Sequence, residues 1–274
     1  MRYRCPLCSQ SLVLQDKSWR CQNNHVFDCA KEGYVNLLPV QKKNSKDPGD
    51  NKPMIVARRE FLNKGYYQRL SDRVNELAQR FALDKTSGLD IGCGEGYYSH
   101  RLFEAMQTSV AKNTPFSLNG LDISKSALKS ASKRYSHINF CVASAFEMPF
   151  FDESFDFMLR IYAPSLDKEL RRTMKQDGIL LTVSAGPMHH FALKQLIYDE
   201  PALHTQEKST IQGFELLHHE QLEWVLEMDN EQDITHFLNM TPYAWKLTDE
   251  QKQGLANQGL MCQLDFKIEI FKAI

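Results

Sequence analysis

Two pairs of soft ligands open the chain. Cys5 and Cys8 stand two residues apart, and after twelve more residues Cys21 is followed, at a three-residue gap, by His25. Thiolate and imidazole groups in that arrangement are the donors zinc takes in a closed tetrahedral site. Pro6 suits a ligand knuckle, and the intervening SQSLVLQDKSWR is long enough for a hairpin that returns the second pair. Metal binding would supply the folding energy of so small a module. With four positions filled, none is left for a reactive water, so the expected role is structural. Cys29 competes for the fourth position. The shorter spacing, and the more apolar VFDCA around Cys29, favour His25.

A second cluster lies in LDIGCGEGYYSH. Leu89 to Ile91 reads as a strand, and Gly92, Gly94 and Gly96 as the turn into a helix. Glycines there permit a tight backbone and close approach of a ligand. A pyrophosphate-binding loop would place its third glycine one residue later, where Tyr97 stands. Asp122 ends the next apolar run, in GLDIS. A carboxylate at that point can accept both hydroxyls of a ribose. The competing role is a helix cap, for which Ser124 is a rival. Further on, Arg160-Ile161-Tyr162-Ala163-Pro164 follows a fourth apolar run, and His189 and His190 follow a fifth.

The elements that must position these groups alternate strand and helix. Residues 54–81 read as helix interrupted near Gly65. SGLDI, SLNGLDIS, HINFCVAS, FDFMLRIYA and DGILLTVSA read as strands, with helices between. That order predicts an α/β fold with a parallel sheet covered on both faces. The last ninety residues are mixed, with a closing strand expected over 262–273. The expected organisation is a module at 1–40, a polar linker at 41–53 and an α/β domain at 54–274.

Composition agrees. The chain has 274 residues, 42% hydrophobic and 24% charged, with a formal net charge of -1; about two domains are expected. No apolar run approaches the roughly eighteen residues of a membrane span, and MRYRCPLC lacks a signal peptide's apolar core, so no membrane association and a cytoplasmic location are expected. Seven cysteines, an odd number, argue against a disulfide scaffold. Residues 1–69 hold 13 Lys and Arg against 6 Asp and Glu, whereas the remainder holds 20 against 28. A basic first part on an acidic body suggests an anionic partner.

The Asp90-x-Gly92-x-Gly94-x-Gly96 pattern resembles motif I of class I (Rossmann-like) S-adenosylmethionine-dependent methyltransferases. VASAFEMPFFDESFDFMLR resembles their third and fourth motifs, which implies Ser144 and Ala145 beside the adenine. The zinc pairs, EGYVNLLPVQ, DPGDNKPMIVARREFLNKGYYQRL, RIYAP and AGPMHH together resemble the RlmA family of bacterial 23S rRNA guanine-N1 methyltransferases, over essentially the whole chain. The resemblance implies zinc and S-adenosylmethionine as cofactors, 23S ribosomal RNA as substrate at a hairpin loop, and a homodimer. By matched position it implies cofactor contacts at Tyr67, Glu95, Gly96 and His189. The family's Gly-Pro-x-His-Leu-x-Glu-Leu is altered here to His190-Phe191-Ala192-Leu193 after His189, so either histidine remains a candidate.

The zinc module is then expected to help grip RNA. Arg2, Arg4, Lys17, Arg20 and Lys31, with Lys42, Lys43 and Lys46 in the linker, suit phosphate contact. Trp19 and Tyr34 are candidates either for stacking on bases or for core packing. Arg160 is expected to stabilise charge on the base oxygen and Tyr162 to stack on an extruded guanine; a structural ion pair is the alternative for Arg160. Glu95 and Asp156 are the carboxylates in reach as a base, each with a structural alternative. Two other classes stay open: a small-molecule methyltransferase stabilised by zinc, and a non-catalytic RNA-binding protein. The basic N-terminal part argues against the first, and the intact glycine loop with Asp122 against the second.

Overall fold

A computed structural model describes residues 3–42, 48–107, 115–205 and 210–274. Arg2, Lys43 and Lys46 lie outside the described residues. The N-terminal part is a three-stranded antiparallel ribbon of β1 (Val13–Gln15), β2 (Ser18–Arg20) and β3 (Val26–Asp28). Its first turn is made by Asp16 with φ 54°. The chain then forms β4 (Val35–Asn36), α1 (Lys52–Asn63) and α2 (Gln68–Phe81). The Asn51 side chain caps α1 by accepting the Met54 N–H, and Pro53 sits in its first turn, where no amide donor is needed.

The alternating units follow in order: β5 (Ser87–Ile91), α3 (Tyr97–Gln107), β6 (Ser117–Asp122), α4 (Lys125–Arg134), β7 (Asn139–Val142), β8 (Phe155–Ile161), α5 (Asp167–Thr173) and β9 (Met174–Ala185). The remainder is α6 (Phe191–Ile197), β10 (Phe214–Met228), α7 (Glu231–Asn239), α8 (Asp249–Gln258) and β11 (Leu260–Ala273). One eight-stranded sheet has the order β10-β11-β9-β8-β5-β6-β7-β4. It is parallel from β4 to β9 and antiparallel across β9, β11 and β10. The sheet is therefore mixed where a parallel one was expected. β5 lies between β6 and β8, so the strand order reverses there. A ligand crevice is expected outside the carboxyl ends of the strands at such a point.

One face of the sheet is covered by α1, α2, α3, α4, α6 and α7, through residues such as Phe61, Leu70, Leu77, Leu102, Leu128 and Phe237. The other face is covered by Leu170 of α5 and by the ribbon, which contributes Tyr3, Leu12 and Leu37 to a core shared with Leu89, Leu121, Met158 and Leu180. Tyr3 packs 5.7 Å from Phe150, the Arg4 N–H donates to the Pro149 carbonyl, and β4 pairs in parallel with β7. Large apolar side chains buried in such a seam are worth about 1.5–3 kcal/mol each. The N-terminal ribbon is thus a layer of the sheet domain.

Candidate metal centre and active site

The ligand atoms of Cys5, Cys8, Cys21 and His25 all lie within 4.8 Å of one another. Sγ of Cys8 is 3.6 Å from Sγ of Cys21, and Nδ1 of His25 is 3.5 and 3.4 Å from the sulfurs of Cys5 and Cys21. Zinc bonds of ordinary length would give tetrahedron edges of about 3.8 Å between sulfurs and about 3.6 Å from sulfur to nitrogen. The four residues therefore fit zinc. Cys29 is outside this group, beside Trp19. Trp19 packs edge-on against Tyr3 at 4.8 Å, and Tyr34 is buried. Both aromatics are in the core-packing position of the two weighed for them.

At the carboxyl end of β5 each glycine has its own reason. Gly92, Gly94 and Gly96 all have positive φ. A Cβ on Gly92 would stand 2.4 Å from Cβ of Ala163, and one on Gly96 would stand 2.9 Å from the Tyr135 ring. A Cβ on Gly94 would meet nothing nearer than Nη1 of Arg58, at 4.0 Å. The loop is thus packed at both ends and open in the middle, as a ligand cradle must be. Asp90 anchors it from below: the Ser99 hydroxyl donates to its carboxylate over 2.6 Å, and burial pushes its pKa up to about 7.

Asp122 is tied to the same loop. The Gly94 N–H donates to Oδ2 and the Ser124 N–H to Oδ1, at 2.8 and 2.7 Å. Burial raises its pKa and these two donors oppose the rise. The cap of α4 is Ser124, whose hydroxyl accepts from the Ala127 N–H. Asp122 is therefore not the helix cap. Beyond β7, the Ser144 hydroxyl accepts from the Phe146 N–H, which holds the turn that also carries Ala145.

A hydrogen-bonded aromatic wall adjoins the loop. The turn after β8 places Tyr162 at φ 54°, next to the Ala163 that packs on Gly92. Tyr162 Oη lies 3.2 Å from Nε2 of His189. Nδ1 of His189 accepts the backbone N–H of Asp265 at 3.2 Å. His189 stacks on His190 at 3.8 Å, and Nε2 of His190 hydrogen-bonds with the Tyr67 hydroxyl over 3.1 Å. Burial drives His189 down to about 3 and lowers His190 as well. Tyr67 is 6% exposed, wedged edge-on against Phe61 and Phe266. It forms part of the wall.

Other expected residues have partners of their own. Glu95 is buried beneath the loop, with Oε2 accepting from Arg134 at 2.6 Å, while its Oε1 has no partner among the described residues. Arg160 donates to the Ser165 hydroxyl at 3.0 Å and feels the charges of Asp167 and Glu269. Along β8 it shares the side of Met158, opposite Ile161. Its hydrogen bond goes to Ser165, whereas Tyr162 is held by His189. Asp156 accepts the N–H groups of Thr86 and Ser87 at the amino end of β5, the far end from the glycine loop.

Sequence reasoning missed two residues that shape the site. Asp265 accepts the Met188 N–H and the Gln221 amide, both at 2.8 Å, and so fixes the 186–190 turn. A Cβ on Gly186 would stand 1.9 Å from Oδ1 of Asp265, so this close approach requires glycine. Arg58 is the second. Its only signal was a cation within the RlmA-like MIVARREF.

Residues 3–46 match the model described as RlmA, N-terminal, and residues 83–241 match the methyltransferase domain. A Bacillus subtilis protein, provisionally named a 23S rRNA (guanine-N1)-methyltransferase, is 31% identical over 89% of this chain and 86% of its own. The chain belongs to the RlmA family. The 23S rRNA (guanine(748)-N1)-methyltransferase of Streptomyces fradiae is 29% identical over the same shares of the two chains. A crystal structure from Bacillus halodurans, provisionally named a methyltransferase, shares the fold with a TM-score of 0.50 and 17% identity over 73% of this chain and 98% of that one. This RlmA-family chain is a class I methyltransferase that uses S-adenosylmethionine, and its N-terminal ribbon is a zinc ribbon. Among the described residues, no helix is long and apolar enough to cross a membrane.

Proposed function

We infer that this chain transfers the methyl group of S-adenosylmethionine to N1 of a guanine in 23S rRNA. The observation that carries this is the extent of the likeness, which runs through the zinc ribbon and the catalytic body together. A small-molecule methyltransferase would leave the excess of Lys and Arg in the first 69 residues without a task. A non-catalytic protein would have no use for a loop held open at Gly94.

Gly92, Gly94, Glu95, Gly96 and Asp122, with Ser144 and Ala145, form the proposed cofactor cradle, and Tyr67 and His189 its wall. When bound, S-adenosylmethionine supplies a sulfonium-activated methyl group for in-line displacement. The chain's task is to align the nucleophile and to manage the N1 proton. His189 is neutral and accepts at Nδ1, so its proton is on Nε2 and is donated to Tyr162 Oη. The Tyr162 O–H is then left to donate outward. Tyr162 as a residue is 47% exposed, which suits contact with an extruded base. A hydrogen bond from that hydroxyl to the guanine O6 would stabilise the charge left when N1 loses its proton. Arg160, through Ser165, orients the turn that carries Tyr162.

The target in a hairpin loop, homodimer formation and a cytoplasmic location complete the proposal. Methylated N1 blocks the Watson–Crick edge. Primer extension on 23S rRNA fragments incubated with enzyme and S-adenosylmethionine should therefore stop at one guanine. Methyl incorporation without a stop would point to another position or another substrate.

A further inference from the structure

Arg58 lies on α1 with its guanidinium turned to the open centre of the glycine loop. Nη1 donates to the carboxylate of Asp50 and Nη2 to the carbonyl of Met240 at 3.5 Å. Among the described residues, chain neighbours aside, Nη1 is the one heavy atom within 4.0 Å of where a Cβ on Gly94 would stand. The side chain keeps 30% exposure, so solutes reach it. Its charge favours ionisation of Glu95, Asp122, Tyr67 and Tyr98 together, which places it centrally among groups from three separate segments. Nearby cations are engaged elsewhere. Arg134 is held by Glu95 and Asn63, and Lys64 by Asp233. His189 and His190 are neutral.

The aminoacyl end of S-adenosylmethionine carries a carboxylate. Desolvating it at a backbone loop requires a fixed cation, and a guanidinium matches it with two parallel donors. We propose that Arg58 binds this carboxylate, with the Asp50 side chain giving up its ion pair to the guanidinium. Asp50 is suited to that exchange. Its backbone carbonyl stays fixed by the Ser124 hydroxyl at 2.9 Å, so only its side chain need turn away. The proposal rests on placing the cofactor at the glycine loop, and its test separates the two ideas.

Calorimetry would compare S-adenosylmethionine with its decarboxylated analogue, S-adenosylhomocysteine and 5′-methylthioadenosine. The unsubstituted protein should bind S-adenosylhomocysteine; no binding would sink the placement of the cofactor itself. It should prefer S-adenosylmethionine over the decarboxylated analogue by about 10- to 100-fold, the range for a hydrogen-bonded charge pair. In Arg58→Met that ratio should collapse toward unity while 5′-methylthioadenosine affinity stays within about threefold. Arg58→Lys, with its charge kept and its fork lost, should retain part of the ratio, and it covers the case of a Met variant that does not fold. An unchanged ratio in the Met or the Lys variant would overturn the proposal. So would an equal loss for all four ligands, which is the result for a purely structural Asp50–Arg58 pair.

Discussion

The backbone N–H of Asp265 points at Nδ1 of His189 from 3.2 Å, and this contact decides which nitrogen of a neutral imidazole carries the proton. A donor fixed by β11 thereby sets the direction of a hydrogen bond at Tyr162, on the turn after β8. Burial favours the neutral ring, the Asp265 amide selects its tautomer, and Nε2–H is left facing the tyrosine.

That chain predicts coupled effects on chemistry. Tyr162→Phe should lower the single-turnover rate about 10- to 100-fold, the cost of one lost charge-stabilising donor. S-adenosylhomocysteine affinity should change little. His189→Gln should also slow the step, and the double variant should be no slower than Tyr162→Phe alone, because both act through one hydroxyl. Strictly additive losses would show that the two residues act separately.

The same histidine predicts a pH dependence of stability. Its folded pKa, about 3, lies below the ordinary 6.5. Between those values the unfolded chain binds a proton that the folded one refuses. Its contribution is therefore full above about 6.5 and is lost as pH falls toward about 3, at up to about 1.4 kcal/mol per pH unit. Asp90, raised to about 7, acts with the opposite sign from about 4 upward. The comparison that isolates His189 is urea unfolding of the wild type and His189→Phe between pH 4 and 7. The variant should show the shallower acid limb, and parallel limbs would contradict the buried neutral ring.

Zinc should matter beyond the ribbon. Elemental analysis should find about one zinc per chain. Cys8→Ser should lose it. If residues 1–40 folded alone, cofactor binding would survive that loss untouched. However, Tyr3 packs on Phe150 and β4 extends the sheet beside β7, whose end leads to Ser144. The expected outcome is a lowered melting temperature in one shared transition, with weakened S-adenosylmethionine binding. A separate early transition that leaves cofactor affinity unchanged would show an independent module.

Much of this was legible in residue types and spacing. Four ligands with a hairpin-length gap pointed to the cluster, and glycine spacing with a terminal Asp122 pointed to the loop. What escaped depended on contacts distant in sequence. β10 is the longest strand, yet FELLHHEQLEWVLEM covers only one face and mixes charges among its apolar positions, so its period was obscured. Asp265 lies within an apolar strand and acts through backbone and turn contacts with residues nearly eighty positions away. Arg58 lies among other cations on α1, and nothing in its spacing marked it. Arg160 read as a target-base residue, and nothing in the sequence revealed that its hydrogen bond goes to Ser165.

Charge on the first third predicts how RNA is held. Arg4, Lys17, Arg20 and Lys31 lie on the ribbon side, and Lys42 pairs with Glu147 at its junction with the sheet domain. If these groups neutralise phosphates, RNA affinity should fall steeply with salt, whereas S-adenosylhomocysteine affinity should not. Replacing Lys17, Arg20 and Lys31 by Gln should reduce the log–log slope by about 3, near one unit per lost phosphate contact, and weaken unrelated RNAs alike. Arg160→Ala should leave that slope intact. Through the Ser165 contact it should slow single-turnover methylation about tenfold, and Ser165→Ala should do the same, as expected of a residue worth one hydrogen bond to a positioned turn. Filter binding across a salt series, with turnover measured in parallel, distinguishes the two classes. A triple variant with an unchanged slope would move the RNA surface off the ribbon, and normal turnover in Arg160→Ala would remove the arginine from the positioning of Tyr162.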